Sequence, residues 1–222
     1  MADNMKLYHE VHGTGFPLVL IHGAFGSTAM LGDLLPALAA TRRVIAVDLQ
    51  GHGRTPDSDR PIQAETMADD IADLLSDLNV DRADIMGYSL GGGVALHVAS
   101  RHPGIVNKLV IVSRPYKRRG WSDETLARME QMGQSTPENA PPLYAKIAEL
   151  LQVDYDWTVA VKDIRAPTLV LFGSADGERA GHGQEFVGLL RDGRLEIVPG
   201  ATHLTVFTPI IVPTVTAFLD AP

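Results

Sequence analysis

Residues 84–93 read DIMGYSLGGG, an apolar run, then a serine held between glycines, then more glycines. Gly87, Ser89 and Gly91 fit G-x-S-x-G, and the flanking residues place it at a strand end that runs straight into a helix start. At so sharp a corner the two backbones approach too closely for a Cβ on either flank, and the strain turns the hydroxyl out of the core. An ordinary turn with a capping serine would look the same over these ten residues. The two readings differ in what they require elsewhere, because a serine hydroxyl attacks a carbonyl only when a base and a group to orient that base are at hand. Downstream, Asp176 in LFGSAD and His203 in VPGATH each follow an apolar run, in the order serine, acid, histidine that this corner requires. Ser89, Asp176 and His203 are therefore the candidate catalytic set, with Glu178 the nearest substitute for the acid.

Attack on a carbonyl also needs two N–H donors for the oxygen that becomes negative. Leu90, next after the serine, opens a helix whose first amides are unpaired. The turn HGAFGS (22–27) after an earlier apolar run supplies the second, assigned to Ala24. Among the eight histidines only His203 follows the acid in an apolar, glycine-marked context. His22 is expected to tie down its turn, His9, His12, His97 and His102 to be structural, and His182 to lie at the surface.

These residues need a scaffold that delivers them to one edge. Apolar runs at 17–23, 43–49, 83–89, 108–114 and 167–173 show little polar alternation, as strands buried on both faces of a parallel sheet do. Helical spacing fills 27–41, 64–78 and 92–102, with Ser27 and Asp81 at cap or turn positions. Residues 6–13 are expected to form an antiparallel edge hairpin with the next strand, and 194–200 a last parallel strand. The closing helix is drawn over 209–219, with Pro213 arguing for a later start. The class is α/β, a mostly parallel sheet of about seven to eight strands with helices on both faces, in a single domain spanning 1–222. Between 115 and 166 strand signals vanish and two helical pieces, 123–132 and 142–151, flank the loop GQSTPENAP, which reads as a short lid over the sheet's carboxyl edge.

Composition narrows the partners. A net charge of −8 with scattered cations offers no face to a nucleic acid, and the absence of cysteine removes disulfides, thiolate chemistry and Cys-based zinc. No apolar run approaches a membrane span, and the opening MADNMKLYHE has no signal-like pattern, so a cytoplasmic monomer or homodimer acting on a small molecule without membrane or metal is expected.

The segments LVLIHGAFGS, VIAVDLQGHGRT, IMGYSLGGGVAL, PTLVLFGSAD and VPGATH together resemble the successive landmarks of the α/β-hydrolase superfamily, within it the small bacterial serine esterases. The resemblance covers nearly the whole chain except the lid. It implies ester cleavage by a Ser-His-Asp triad, no cofactor, and an oxyanion hole from the amides of Ala24 and Leu90, with Asp48 and GHGRT as scaffold. The lid and the segment after His203 are shorter than in relatives, so the pocket is expected to be open and shallow, with Phe25, Tyr88 and Trp121 touching substrate. Perhydrolysis, lactone or carbon-carbon bond hydrolysis with the same triad, and non-catalytic binding of a small ligand, are the alternatives. Arg114, Lys117, Arg118 and Arg119 read as a solvated face, with Arg114 the one that would meet a substrate carboxylate in the pocket.

Overall fold

The computed structural model describes residues 5–135 and 139–222. Seven strands form one sheet: β1 (His9–His12), β2 (Pro17–Ile21), β3 (Arg43–Val47), β4 (Ala83–Tyr88), β5 (Val106–Val112), β6 (Thr168–Ala175) and β7 (Gly193–Thr202). Their order is β1-β3-β2-β4-β5-β6-β7, and every pairing is parallel except β1 with β3. The expected hairpin between residues 6–13 and the next strand is therefore wrong. Both edges of β2 are occupied by β3 and β4, so β1 pairs antiparallel on the free edge of β3, His9 opposite Val47.

Period-two alternation explains the apolar runs. Val19, Ile21, Ile45, Val47, Ile85 and Ile111 point to one face, packed with α2 (Ala64–Asp77), α3 (Leu90–Arg101) and α7 (His182–Leu189). Leu18, Leu20, Val44, Ala46, Met86 and Val110 point to the other, under α1 (Leu34–Ala39) and α8 (Val212–Asp220). Both faces are dry, so both sets must be apolar. Lys108, at the start of the buried part of β5, is not an exception: its ammonium donates to the carbonyls of Phe218 and Leu219 at the end of α8.

Two helices differ from expectation. Residues 27–41 break into a 3-10 turn (Thr28–Met30) and α1, because Gly32 takes a left-handed φ of 50° between them. Ser27 is extended and makes no cap bond, while the Thr28 amide donates to Asp48 Oδ1 at 2.6 Å. The closing segment likewise starts as a 3-10 turn at Pro209–Ile211, with α8 beginning only at Val212, next to Pro213.

The segment between β5 and β6 holds α4 (Asp123–Gln134), α5 (Pro142–Gln152) and a third helix, α6 (Thr158–Asp163). α4 starts on Ser122, whose hydroxyl accepts from the Thr125 amide at 3.3 Å, and α5 starts at a proline, where a missing N–H is harmless. α6 is six residues long and too short to declare a period, yet its Val161 is fully buried in the core. Part of the loop GQSTPENAP, residues 136–138, lies outside the described residues. No helix of the described residues is long and apolar enough to cross a membrane, and no group of three metal-ligating side chains occurs among them.

Candidate active site

Ser89 sits between β4 and α3 with φ 52° and ψ −113°, a backbone state that a side chain rarely adopts. The neighbouring glycines show why this turn has no alternative residues. A Cβ on Gly87 would lie 2.0 Å from the Gly91 carbonyl oxygen, and one on Gly91 would lie 2.4 Å from that of His22 and 2.5 Å from that of Ile21. All three obstacles are main chain and cannot rotate away. Gly91→Ala is accordingly expected to lower the unfolding free energy by about 3 kcal/mol, read as a shifted urea midpoint at unchanged slope; an unshifted midpoint would mean the turn has slack.

Three loops at the carboxyl edge then meet. His203, immediately after β7, places Nε2 3.1 Å from Ser89 Oγ and Nδ1 2.7 Å from Asp176 Oδ1. Asp176, immediately after β6, has a wholly buried side chain whose second oxygen accepts from the Gly173 amide at 3.2 Å and from the Ser113 hydroxyl. Ser113 was not singled out from sequence. Its only signal is a serine ending the apolar run KLVIVS, and its φ of 53° is what turns it toward Asp176.

The two candidate oxyanion donors are also unengaged. The Ala24 and Leu90 amides donate to no described residue, and Leu90 is the first residue of α3, without an intrahelical acceptor. The turn carrying Ala24 is closed by Gly26 donating to the Gly23 carbonyl at 3.0 Å, with Phe25 at φ 59°. His22 anchors it: Nδ1 donates to the Gly23 carbonyl at 2.7 Å and Nε2 accepts from the Leu49 amide at 3.1 Å. Burial pushes its pKa down to about 4, which keeps the ring neutral for both bonds. Asp48 accepts from the Thr28 and Arg54 amides and so holds loops rather than substrate.

Of the three aromatic residues assigned to substrate, all line a cavity of about 390 Å³ at Ser89, and two do more. Tyr88 donates its hydroxyl to the His203 carbonyl at 2.6 Å, holding the histidine loop, and burial beside Asp176 raises its pKa so that the proton stays. Trp121 is buried and stands edge-on to the His203 ring at 5.5 Å. Phe25 is partly exposed at the mouth, against Tyr144.

The apolar patch expected of Phe25, Tyr88 and Trp121 is extended by the lid. Met129 and Met132 of α4 and Ile147 and Leu151 of α5 wall the cavity, and a second space of about 210 Å³ continues between the helices past Phe25 and Tyr144. The i,i+3 and i,i+4 spacing of these residues was legible, but which surface the stripe would face was not. Arg114 is corrected: it lines a different cavity. Of its neighbours only Arg119 is exposed as a solvated face would be; Lys117 pairs with Glu185 and Arg118 reaches the Leu151 carbonyl.

His182, expected at the surface, is fully buried, stacked on Tyr116 at 4.8 Å. Nδ1 lies 3.5 Å from Glu185 Oε2 without a hydrogen bond to it, Nε2 has no partner among the described residues, and burial lowers the pKa to about 4 against the pull of that carboxylate. Between pH 6.5 and 4 the unfolded chain therefore binds a proton here that the folded one refuses, so stability falls as pH falls. Replacing His182 by Phe, which keeps the stack, should reduce the stability lost between pH 7 and 4.5 by roughly 2 kcal/mol. Parallel urea titrations at the two pH values check this, and an equal loss in both proteins would place the acid sensitivity elsewhere.

Residues 17–156 match the profile of a family described as alpha/beta hydrolase fold, more than half of the chain. The chain belongs to that family. Its β2-turn, Ser89 corner and first lid helices all fall within the match. A 2-hydroxymuconate semialdehyde hydrolase of Pseudomonas sp. strain CF600 is 42% identical over 107 residues, 45% of this chain and 37% of that protein. A pimeloyl-[acyl-carrier protein] methyl ester esterase of Neisseria meningitidis is 45% identical over 95 residues, 42% of this chain and 35% of that one. The matched stretches thus span little more than a third of these relatives. Among solved structures, a hydrolase from Pseudomonas aeruginosa PA01 superposes over 100% of both chains with a TM-score of 0.74 at 25% identity.

Proposed function

We propose that this alpha/beta hydrolase cleaves small carboxylic esters through an acyl-enzyme on Ser89. The observation that carries the reading is the unbroken hydrogen-bonded line Ser89 Oγ, His203, Asp176 opening into an apolar cavity. His203 takes the Ser89 proton as Oγ attacks the carbonyl carbon, and the oxygen turns negative against the amides of Ala24 and Leu90. His203 then returns the proton to the departing alcohol, and a water activated by the same ring releases the acid. Asp176, held by Ser113 and the Gly173 amide, keeps His203 Nδ1 protonated throughout. The relatives named for hydrolysis of an ester and of a semialdehyde support hydrolysis as the reaction class.

The lid wall sets the substrate size. Each acyl methylene covered by Met129, Ile147 and Leu151 contributes up to about 0.8 kcal/mol, until the wall is used up. A series of p-nitrophenyl esters from acetate to palmitate should give its best kcat/KM at roughly two to six carbons, toward the upper end, with no jump at an oil interface. A long-chain optimum with interfacial activation would show that α4 and α5 open into a deep channel, and absence of turnover on every ester would remove the esterase reading.

A further inference from the structure

Arg114 follows β5 and is half-buried, its guanidinium packed 4.5 Å from the Tyr155 ring centre and 4.8 Å from that of Trp157. Its Nε is cut off from solvent without a partner, and no hydrogen bond or ion pair joins this side chain to any other described residue. Arg42, Arg60, Lys108 and Lys146, also wholly or partly buried, are all engaged by carboxylates or carbonyls. Lack of acids is not the cause. Glu65, Glu149, Asp154 and Asp156 line the same space of about 460 Å³ as Arg114, yet none pairs with it, and its fork packs against the two rings instead. A half-buried guanidinium with no carboxylate or carbonyl partner among the described residues is short of protein acceptors, and its planar donors match two coplanar oxygens.

We propose that this cavity is a binding site for a small monocarboxylate with an apolar body, seated with its carboxylate on Arg114. The remaining wall fits such a body: Ile62, Leu150, Val153 and the faces of Tyr155 and Trp157 are apolar. The exposed acids at its rim, Glu149, Asp154 and Asp156, disfavour a second negative charge on the ligand. The cavity shares no lining residue with the one at Ser89, although Leu90, next to the nucleophile, forms part of its wall.

Calorimetric titration with phenylacetate reads binding directly and does not depend on turnover. One equivalent should bind wild-type protein, and Arg114→Met should weaken it by about tenfold or more. Arg114→Lys keeps the charge over the rings but lacks the fork, and it should also bind more weakly; this variant decides if the methionine protein does not fold. Met129→Trp, which narrows only the Ser89 cavity, should bind as the wild type does, phenylacetamide should not compete, and a dicarboxylate of similar size should bind worse. The proposal is overturned if phenylacetate does not bind, if the Arg114 variants bind it unchanged, if the neutral amide binds equally, or if Met129→Trp abolishes binding.

Discussion

Ser89→Ala is expected to lose about six orders of magnitude in kcat on any ester the wild type cleaves, because the nucleophile and its base act as one unit. The fold should survive. Among the described residues the Ser89 hydroxyl is bonded only to His203, and alanine removes an oxygen without adding volume in the turn. A fluorophosphonate should add one adduct to the wild type and none to the variant, with unfolding curves confirming that both are folded. A variant that still turns over or still labels would put the covalent chemistry on another residue.

Asp176→Asn should lower kcat by about four orders of magnitude with little change in stability, and the geometry explains the size of the effect. The Ser113 hydroxyl and Gly173 amide both donate to one oxygen of Asp176. In the amide variant those two donors claim the remaining oxygen, so the NH₂ is left facing His203 Nδ1. That nitrogen must then accept, the ring proton moves to Nε2, and His203 can no longer take the Ser89 proton. Stopped-flow or steady-state rates on p-nitrophenyl acetate measure the loss. Near wild-type rates would transfer the orienting role, with Glu178 two residues on as the first candidate; its carboxyl is pushed up to about 7 by burial and by the Asp176 charge, so it is poorly suited to act as an anion.

The strands and the three residues at their ends were legible because each signal is local. A strand covered on both faces has to be apolar throughout, and a corner that leaves no room for Cβ atoms has to be written with glycine, as at Gly87 and Gly91. Ser113 and the hydroxyl of Tyr88 were not legible in their roles. Their partners, Asp176 and the His203 carbonyl, are 63 and 115 residues away, and a serine or tyrosine at a strand end carries no mark of which loop will fold over it. His182 misled for the same reason. Its neighbours RAG and GQE are polar or small, and only the packing of α7 on Tyr116 turns the ring inward.

The amino-acid sequence by itself determined the α/β class, the order serine, acid, histidine, and the loops that carry them, since backbone sterics and burial act residue by residue along the chain. Tertiary structure alone decided that β1 joins β3, that α4 and α5 wall the pocket, and that Arg114 faces a separate cavity. Those outcomes depend on which surfaces meet across long stretches of chain, where the winning arrangement is chosen by the area it buries and the partners it leaves over.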